Sequence, residues 1–296
     1  MDRFFKLSER GTNAKTEFIA GMYSRVYVEI TNICNMNCSF CHGHTRAPRR
    51  MSEQEFSRVL DALEGHTKYI YFHLMGEPLT HPDLPGFIRL AVARGFKPMI
   101  TTNGTLLRTR GSNLLNSGLH KINVSLHSFE GESYEHHVRY LTEVAEFADA
   151  AADSGIIVVL RLWNKGHDGG KNDVTLDFLR SRLYGEWSQN TRGLRVREKL
   201  FVEWGERFEW PDKDAPVQSD SVFCYGMRDH FGILCDGTVV PCCLDSDGVI
   251  ALGNVFEDDL TQILSSPRAE AMKKGFECRT ATEGLCRRCG YATRFS

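Results

Sequence analysis

The sequence has no long hydrophobic run and almost no net charge. No apolar stretch approaches the roughly 20 residues that a membrane-spanning helix needs, and no apolar segment with a cleavage site opens the chain. The 296 residues include 36 Lys and Arg against 38 Asp and Glu, a formal charge of -2. This balance gives no general attraction to nucleic acid or to an anionic membrane surface. Since the sequence shows neither a membrane span nor a secretion signal, we expect a cytoplasmic protein.

Cysteine is missing from the middle of the chain. None of the 10 cysteines lies between residues 42 and 223, so they form one group of three near the amino terminus and a second group of seven from 224 to 289. Cysteines that cluster in two places, in a chain without a secretion signal, favour iron–sulfur clusters over a disulfide framework. We therefore expect an oxygen-sensitive protein.

The first group is Cys34, Cys38 and Cys41, in a loop that follows a short apolar stretch. Three thiolates can hold three irons of a cubane cluster, and because no fourth cysteine stands nearby, one iron would stay open. Zinc is the alternative, with His42 as a fourth ligand, but four tetrahedral ligands so close in sequence would be cramped. Reduced thiols without a metal would bury little and oxidise easily.

This loop resembles the cysteine motif of the radical SAM superfamily. The intervals of three and then two residues match, and Phe40 matches the aromatic residue before the third cysteine. The resemblance implies that Cys34, Cys38 and Cys41 hold a [4Fe–4S] cluster whose open iron binds S-adenosylmethionine (SAM). It also implies reductive cleavage of SAM to a 5′-deoxyadenosyl radical that abstracts hydrogen from a substrate.

Extended and helical patterns alternate from Arg25 onward. Six βα-like units of this kind predict an α/β fold with a curved parallel sheet that helices cover on one side, in agreement with the partial (β/α)6 TIM-like barrel that the resemblance implies. Ser52 and Glu55 form a capping box for the first helix, and Asp83 is expected to cap the second. The predicted strands cover residues 25–30, 68–74, 96–101, 121–126, 156–162 and about 200–204.

Polar residues stand at the carboxyl ends of these strands, where barrels of this construction place their sites. Met75-Gly76-Glu77-Pro78 is similar to the Gly-Gly-Glu-Pro motif of the family. The resemblance implies that Gly76 lets the backbone approach the ligand, and that Glu77 or neighbouring carbonyls accept hydrogen bonds from the methionine ammonium group of SAM. Without the cysteine loop, the tetrapeptide would be an ordinary turn.

Three further strand-end residues are expected to bind SAM by the same resemblance. Asn103 and Ser125 are expected to bind the ribose, and Arg161 is expected to bind the methionine carboxylate through its paired donors. Asn103 with Gly104 could instead simply form a turn. Arg161 lies in an apolar strand, so it needs an anionic partner if it is buried.

The second group of cysteines resembles the twitch and SPASM domains of radical SAM enzymes. A β-hairpin is expected at 231–234 and 238–240, followed by a helix and a returning pair of cysteines. The resemblance implies an auxiliary [4Fe–4S] cluster, and zinc on the returning pair is the alternative. A single cluster is expected, with Cys235, Cys243 and Cys278 as small apolar residues or spare ligands. The expected ligands are Cys224, Cys242, Cys286 and Cys289.

The chain is thus expected to comprise an amino-terminal extension at 1–24, a radical SAM partial barrel at 25–215, and a small α+β twitch/SPASM-like domain at 216–296. Residues 203–212 are expected to bridge the last two parts and to line the substrate pocket, with core packing as the alternative. Arg46, Arg49 and Arg50 either grip a phosphate near the site or form a solvated turn.

The expected function is oxidation, crosslinking or epimerisation of a peptide or protein. The alternatives are a small-molecule dehydrogenase, an RNA-modifying enzyme and a non-enzymatic iron–sulfur electron carrier. Expected partners are the substrate, an electron donor such as flavodoxin or ferredoxin, and a separate peptide-recognition protein.

Overall fold

The computed structural model describes residues 22–129 and 133–295. Most of the expected extension at 1–24 therefore lies outside the described residues. Within them, no helix has the length and apolar character that crossing a membrane requires. The strands are β1 (Arg25–Val28), β2 (Tyr69–Tyr71), β3 (Lys97–Thr102), β4 (Lys121–Ser125), β5 (Ile157–Lys165), β6 (Ser188–Asn190), β7 (Gly193–Arg197), β8 (Leu200–Glu206), β9 (His230–Ile233), β10 (Thr238–Val240) and β11 (Gly253–Asn254).

All of these strands belong to one sheet, in the order β11-β10-β9-β1-β2-β3-β4-β5-β8-β7-β6. The six strands from β1 to β8 that were expected from the sequence pair in parallel with one another. This arrangement confirms the partial barrel. The helices are α1 (Glu53–Leu63), α2 (Leu84–Ala93), α3 (Leu107–Arg110), α4 (Ser112–Leu115), α5 (Tyr134–Asp153), α6 (Lys171–Arg182), α7 (Leu260–Leu264) and α8 (Pro267–Glu277).

Alternation along the strands divides the sheet into two faces. In β1, the side chains of Val26 and Val28 are fully buried in the main core, whereas Arg25 and Tyr27 line a cavity on the opposite, concave face. Side chains from the helices complete the main core. The ring of Phe56 in α1, for example, stacks on a phenylalanine ring of α2, with the ring centres 4.5 Å apart. The concave face is the lumen of the partial barrel.

Helix α1 begins as its sequence predicts. The Ser52 hydroxyl accepts a hydrogen bond from the Glu55 N–H at 3.2 Å, and the Glu55 carboxylate accepts one from the Ser52 N–H at 2.8 Å. Asp83 occupies the N-cap position of α2 as expected, but its side chain makes no capping hydrogen bond. Pro85 occupies the second helical position and has no N–H to donate.

The hairpin of β6 and β7 was not predicted. It extends the far edge of the sheet by antiparallel pairing with β8. Its first strand, Ser188–Asn190, is polar and largely exposed, so it carries no alternation of apolar and polar residues from which a strand could be recognised.

The carboxyl-terminal part of the chain continues the same sheet. The expected hairpin is present as β9 and β10, and β9 pairs in parallel with β1 along four residues, from Arg25 opposite His230 to Val28 opposite Ile233. Backbone hydrogen bonds therefore cross the boundary that was expected near residue 215.

A buried ion pair joins three parts of the molecule beside this junction. Glu29 is 0% exposed, and its carboxylate accepts hydrogen bonds from both terminal nitrogens of Arg46, at 2.7 and 2.8 Å. The N–H groups of Met75 and Cys235 donate to the same carboxylate at 3.1 and 3.3 Å. Arg46, and Arg49 with its ion pair to Glu55, thus act within the fold rather than as a phosphate grip.

We predict that Glu29→Gln will strongly destabilise the protein. The substitution leaves the Arg46 guanidinium buried without its counter-charge, and loss of one partner of a buried pair costs about 3–5 kcal/mol. Urea unfolding under anaerobic conditions should show a much lower midpoint. The control, exposed Glu198→Gln, should change stability by no more than about 0.5 kcal/mol. Equal midpoints for the two variants would contradict this prediction.

Candidate functional site

The loop that carries the first three cysteines follows β1 and is anchored at its base. The Asn32 amide donates to the Ala47 carbonyl at 2.9 Å and accepts from the Arg49 N–H at 2.7 Å. These bonds fix the base of the loop against the segment that leads to α1. His44 also binds the loop, through Nε2 and the Asn32 carbonyl at 2.9 Å.

Cys34, Cys38 and Cys41 lie in this loop and form no disulfide. Cys34 and Cys41 are exposed and Cys38 is half-buried, with its thiol 3.7 Å from the Ser128 carbonyl. The Cys41 N–H donates to the Cys38 carbonyl at 3.1 Å, which closes a tight turn between these two cysteines. His42 stacks on Trp210 instead of completing a tetrahedral set.

Gly76 packs against the cysteine loop. Its φ is +74°, and a Cβ at this position would lie 2.5 Å from the Thr31 carbonyl oxygen and 2.9 Å from the Asn32 Cα. The close approach that the structure shows at Gly76 is to the cysteine loop itself, and approach of this backbone to the ligand stays a prediction. The Glu77 N–H continues this contact by donating to the Ile33 carbonyl at 2.9 Å.

The Glu77 side chain ties two strand ends together. Its buried carboxylate accepts hydrogen bonds from the Thr102 hydroxyl at 2.7 Å and from the N–H groups of Asn103 and Leu79 at 2.7 and 3.0 Å. Burial raises the pKa of Glu77 to about 7. This buried carboxylate already accepts three hydrogen bonds, and acceptance from the methionine ammonium group by Glu77 or by neighbouring carbonyls stays a prediction. Pro78, also buried, begins a short 3-10 helix.

Asn103 and Phe40 both contact elements around the cysteine loop. The Asn103 amide donates to the Asn35 side chain in that loop at 3.0 Å. The Phe40 ring lies 5.0 Å from the His127 ring, and its carbonyl accepts from the Trp210 indole at 3.0 Å. The structure therefore brings Phe40, Gly76 and Asn103 together with the three cysteines.

Arg161 does not join this group. It lies in the middle of β5, opposite the half-buried Ser125 at the end of β4, and its side chain lines the lumen cavity, which no residue of the cysteine loop lines. Its guanidinium stacks on Trp163 at 4.6 Å from the ring centre. The role of Arg161 toward the methionine carboxylate stays a prediction. Alternation along β5 turns the long side chain into the lumen.

Four cysteines of the second group line one wall of the lumen cavity: Cys224, Cys242, Cys286 and Cys289. Burial raises the pKa of all four thiols, and for three of them neighbouring thiols raise it further. A cationic centre would reverse this effect, because metal binding deprotonates the thiol ligands. This set of donors fits an iron–sulfur cluster.

The other three cysteines lie elsewhere. Cys235 is buried beside the Glu29–Arg46 pair, and burial raises its pKa to about 12. Cys278 is exposed at the end of α8. Cys243 lines the cavity next to Tyr27.

The cavity has a volume of about 780 Å³ and lies between the barrel lumen and the four cysteines. The segment after β8 contributes Phe208 and Pro211 to its wall. Phe208 packs on Tyr291 of the carboxyl-terminal part at 5.0 Å, while Trp210 reaches Phe40 in the cysteine loop. The structure thus agrees with the expectation that residues 203–212 bridge the two parts and line a pocket.

Comparison with known families gives two matches. A model of the radical SAM superfamily matches residues 28–165, and a model of the SPASM family, described as an iron–sulfur cluster-binding domain, matches residues 224–290. These matches confirm iron–sulfur chemistry with SAM for the first group and an auxiliary iron–sulfur cluster for the second, in place of zinc.

Two relatives of similar length are named for the same activity. The chain is 31% identical over 289 residues to a probable GTP 3′,8-cyclase of Methanothermobacter thermautotrophicus, covering 83% of this chain and 93% of the relative. It is 28% identical over 278 residues to a probable GTP 3′,8-cyclase of Methanocella arvoryzae, covering 81% and 88%.

Solved structures share the fold. BtrN in complex with AdoMet and 2-DOIA superimposes with a TM-score of 0.57 at 16% identity, over 90% of this chain and 93% of BtrN. SuiB of Streptococcus suis superimposes with a TM-score of 0.59 at 15% identity, over 91% of this chain and 72% of SuiB.

We predict that Gly76→Ala will impair the first site through the contact with the cysteine loop. Displacement of that loop should lower the iron content of reconstituted protein from about eight toward about four per chain, the content of one cubane. Gly65→Ala is the matched control, because Gly65 has φ +79° but no atom within 4 Å of its Cβ position. Both variants carry left-handed backbone strain of about 1 kcal/mol. Equal iron loss in both would contradict the prediction.

We predict that Cys242→Ser will remove the auxiliary cluster, because Cys242 lies among the three other thiols of its set. Iron should fall by about four per chain, measured together with acid-labile sulfide. Cys278→Ser changes an exposed thiol outside the set and should retain all the iron. Full iron content in Cys242→Ser would show that this cysteine is not a ligand.

Proposed function

Because the chain belongs to the radical SAM superfamily, we propose that Cys34, Cys38 and Cys41 hold three irons of a [4Fe–4S] cluster and leave the fourth to SAM. When bound and reduced, this cluster and SAM supply a 5′-deoxyadenosyl radical. The electron comes from a donor protein such as flavodoxin or ferredoxin.

The neighbouring residues position this site. Gly76 lets the second strand end press against the loop, and Glu77 ties that strand end to the next one. The backbone carbonyls around Gly76 accept hydrogen bonds from the ammonium group of SAM. Asn103, held against the cysteine loop, and Ser125, at the end of β4, face the ribose.

The thiols of the carboxyl-terminal part line the wall of the cavity that lies opposite the barrel lumen. Cys224, Cys242, Cys286 and Cys289 supply one thiolate for each iron of an auxiliary cubane. No iron is then left for the substrate, so this part of the chain serves electron transfer to or from the cavity. Net oxidation of the substrate is the outcome that this arrangement favours.

One observation carries the choice of substrate: the cavity of about 780 Å³ is walled by the lumen on one side and by the carboxyl-terminal part on the other. Its walls combine charged side chains with aromatic and aliphatic ones, and Phe208 packs on Tyr291 in the wall. Such a space suits a small polar molecule better than an extended peptide. We therefore place small-molecule oxidation ahead of peptide modification.

GTP 3′,8-cyclisation is a second candidate. The observation in its favour is the similarity, over about nine tenths of their length, to relatives that carry this name. A nucleoside triphosphate would also fit the volume of the cavity.

We predict SAM cleavage by the anaerobically reconstituted protein. With dithionite as reductant, 5′-deoxyadenosine should accumulate slowly even without substrate, measured by liquid chromatography and mass spectrometry. A variant in which Cys34, Cys38 and Cys41 are all alanine should form none. Absence of 5′-deoxyadenosine from iron-loaded wild-type protein would overturn the proposed chemistry.

Addition of GTP to the same assay separates the two candidates. GTP consumption in step with 5′-deoxyadenosine would support cyclisation. Unchanged GTP, together with stimulation by a small-molecule extract from the source cells, would support oxidation, and a substrate mass lower by two hydrogens would identify it. Stimulation confined to the peptide fraction would instead restore the peptide-modifying hypothesis.

A further inference from the structure

The lumen cavity contains more cationic than anionic side chains. Arg25, Lys121 and Arg161 face it from three strands, and Arg192 faces it from the turn between β6 and β7. No ion pair within residues 22–129 and 133–295 involves any of these four. Glu203 of β8 is the one carboxylate that faces them from the barrel strands.

The other carboxylates at the cavity already have partners. Asp229 is paired with Arg228 at 2.8 Å. Asp245 accepts hydrogen bonds from the N–H groups of Val249 and Ile250 at 2.9 and 2.8 Å, so it closes its own loop. The barrel wall of the cavity therefore carries an excess of positive charge, separate from the thiols on the opposite wall.

Several buried polar atoms on this face also lack a partner among the described residues. They include Nε of Arg161, Nε of Arg25 and Nδ1 of His73. Asn123, which is 0% exposed on β4 between Lys121 and Ser125, has an unpaired Oδ1. Buried polar atoms without partners are rare and costly in folded proteins, so their concentration on one face indicates a missing ligand.

Arg161 is the best placed of these groups. Its guanidinium carbon lies over the Trp163 ring, 4.6 Å from the ring centre, and this cation–π contact restrains the side chain. A guanidinium presents paired donors that match a carboxylate or a phosphate. His73 beside it is neutral, because burial and the Arg161 charge lower its pKa to about 3.

We infer that the lumen binds an anionic group of the substrate, a carboxylate or a phosphate, through the Arg161 guanidinium, with Arg25 and Lys121 on either side. This inference rests on the proposed function, since it names the chemical class of the molecule that occupies the same cavity. The anion neutralises the buried charges and thereby sets the position of the substrate in the lumen.

The test is calorimetric titration of the anaerobic holoprotein without SAM or reductant, with pyrophosphate and succinate as probes. Binding of pyrophosphate identifies a phosphate site, and binding of succinate identifies a carboxylate site. Arg161→Gln should weaken the binding about tenfold or more, and Arg161→Lys, which keeps the charge but loses the fork, should weaken it less. The control, exposed Arg195→Gln outside the cavity, should bind as wild type does.

Thermal unfolding gives a second readout. An unpaired buried cation disfavours the folded state, so Arg161→Gln should unfold at or above the wild-type temperature. Addition of the probe should raise the unfolding midpoint of the wild-type protein but not that of Arg161→Gln. If Arg161→Gln instead unfolds far below wild type, Arg161 serves the fold and the inference is overturned. Lys121→Gln provides the second variant and should also weaken binding of the probe.

Two more outcomes would overturn the inference: neither probe binds to wild type, or Arg161→Gln binds the probe as tightly as wild type does. Neither result bears on SAM cleavage, which is assayed separately on the wild-type protein. The failure of this inference and the failure of the proposed function can therefore be told apart.

Discussion

The buried pair of Glu29 and Arg46 is the interaction on which the arrangement of the two cysteine groups depends. Its carboxylate binds the segment that returns from the cysteine loop, the end of β2 and the turn after β9. A carboxylate without exposure needs all of these donors, because desolvation of a single unpaired charge would cost several kcal/mol. The same charge that must be satisfied therefore holds three separate segments in register.

A second set of contacts joins the cysteine loop to the segments that follow β2 and β3. Gly76 presses against the base of the cysteine loop, and Glu77 joins β2 to β3 through the Thr102 hydroxyl and the Asn103 N–H. Asn103 then reaches back to Asn35 in the loop. These contacts join the cysteine loop to the ends of two strands and lead back to the loop. The position of each cysteine therefore depends on strand ends that are distant in sequence.

Local sequence carried enough information for the parallel strands, the capping box of α1 and the spacing of both cysteine groups. These features depend on residues close together in the chain. The directions of individual side chains were harder to predict. Glu77 matches a family motif, yet its partners Thr102 and Asn103 come from another strand. Arg161 is expected at a strand end, yet it lies in the middle of β5, where its length and the alternation along the strand carry its charge into the lumen.

The pairing of β9 with β1 has a consequence for how molecules enter and leave the cavity. Opening by a swing of the carboxyl-terminal part would break a parallel ladder of four residue pairs in the interior of the sheet. That ladder opposes a hinge at this border, so local movement of lining segments such as those around Phe208 and Tyr291 would disturb less of the sheet. The same ladder ties the strand before the first group of cysteines directly to the hairpin before Cys242, so one continuous sheet, and not a flexible connection, sets how the two groups lie relative to each other.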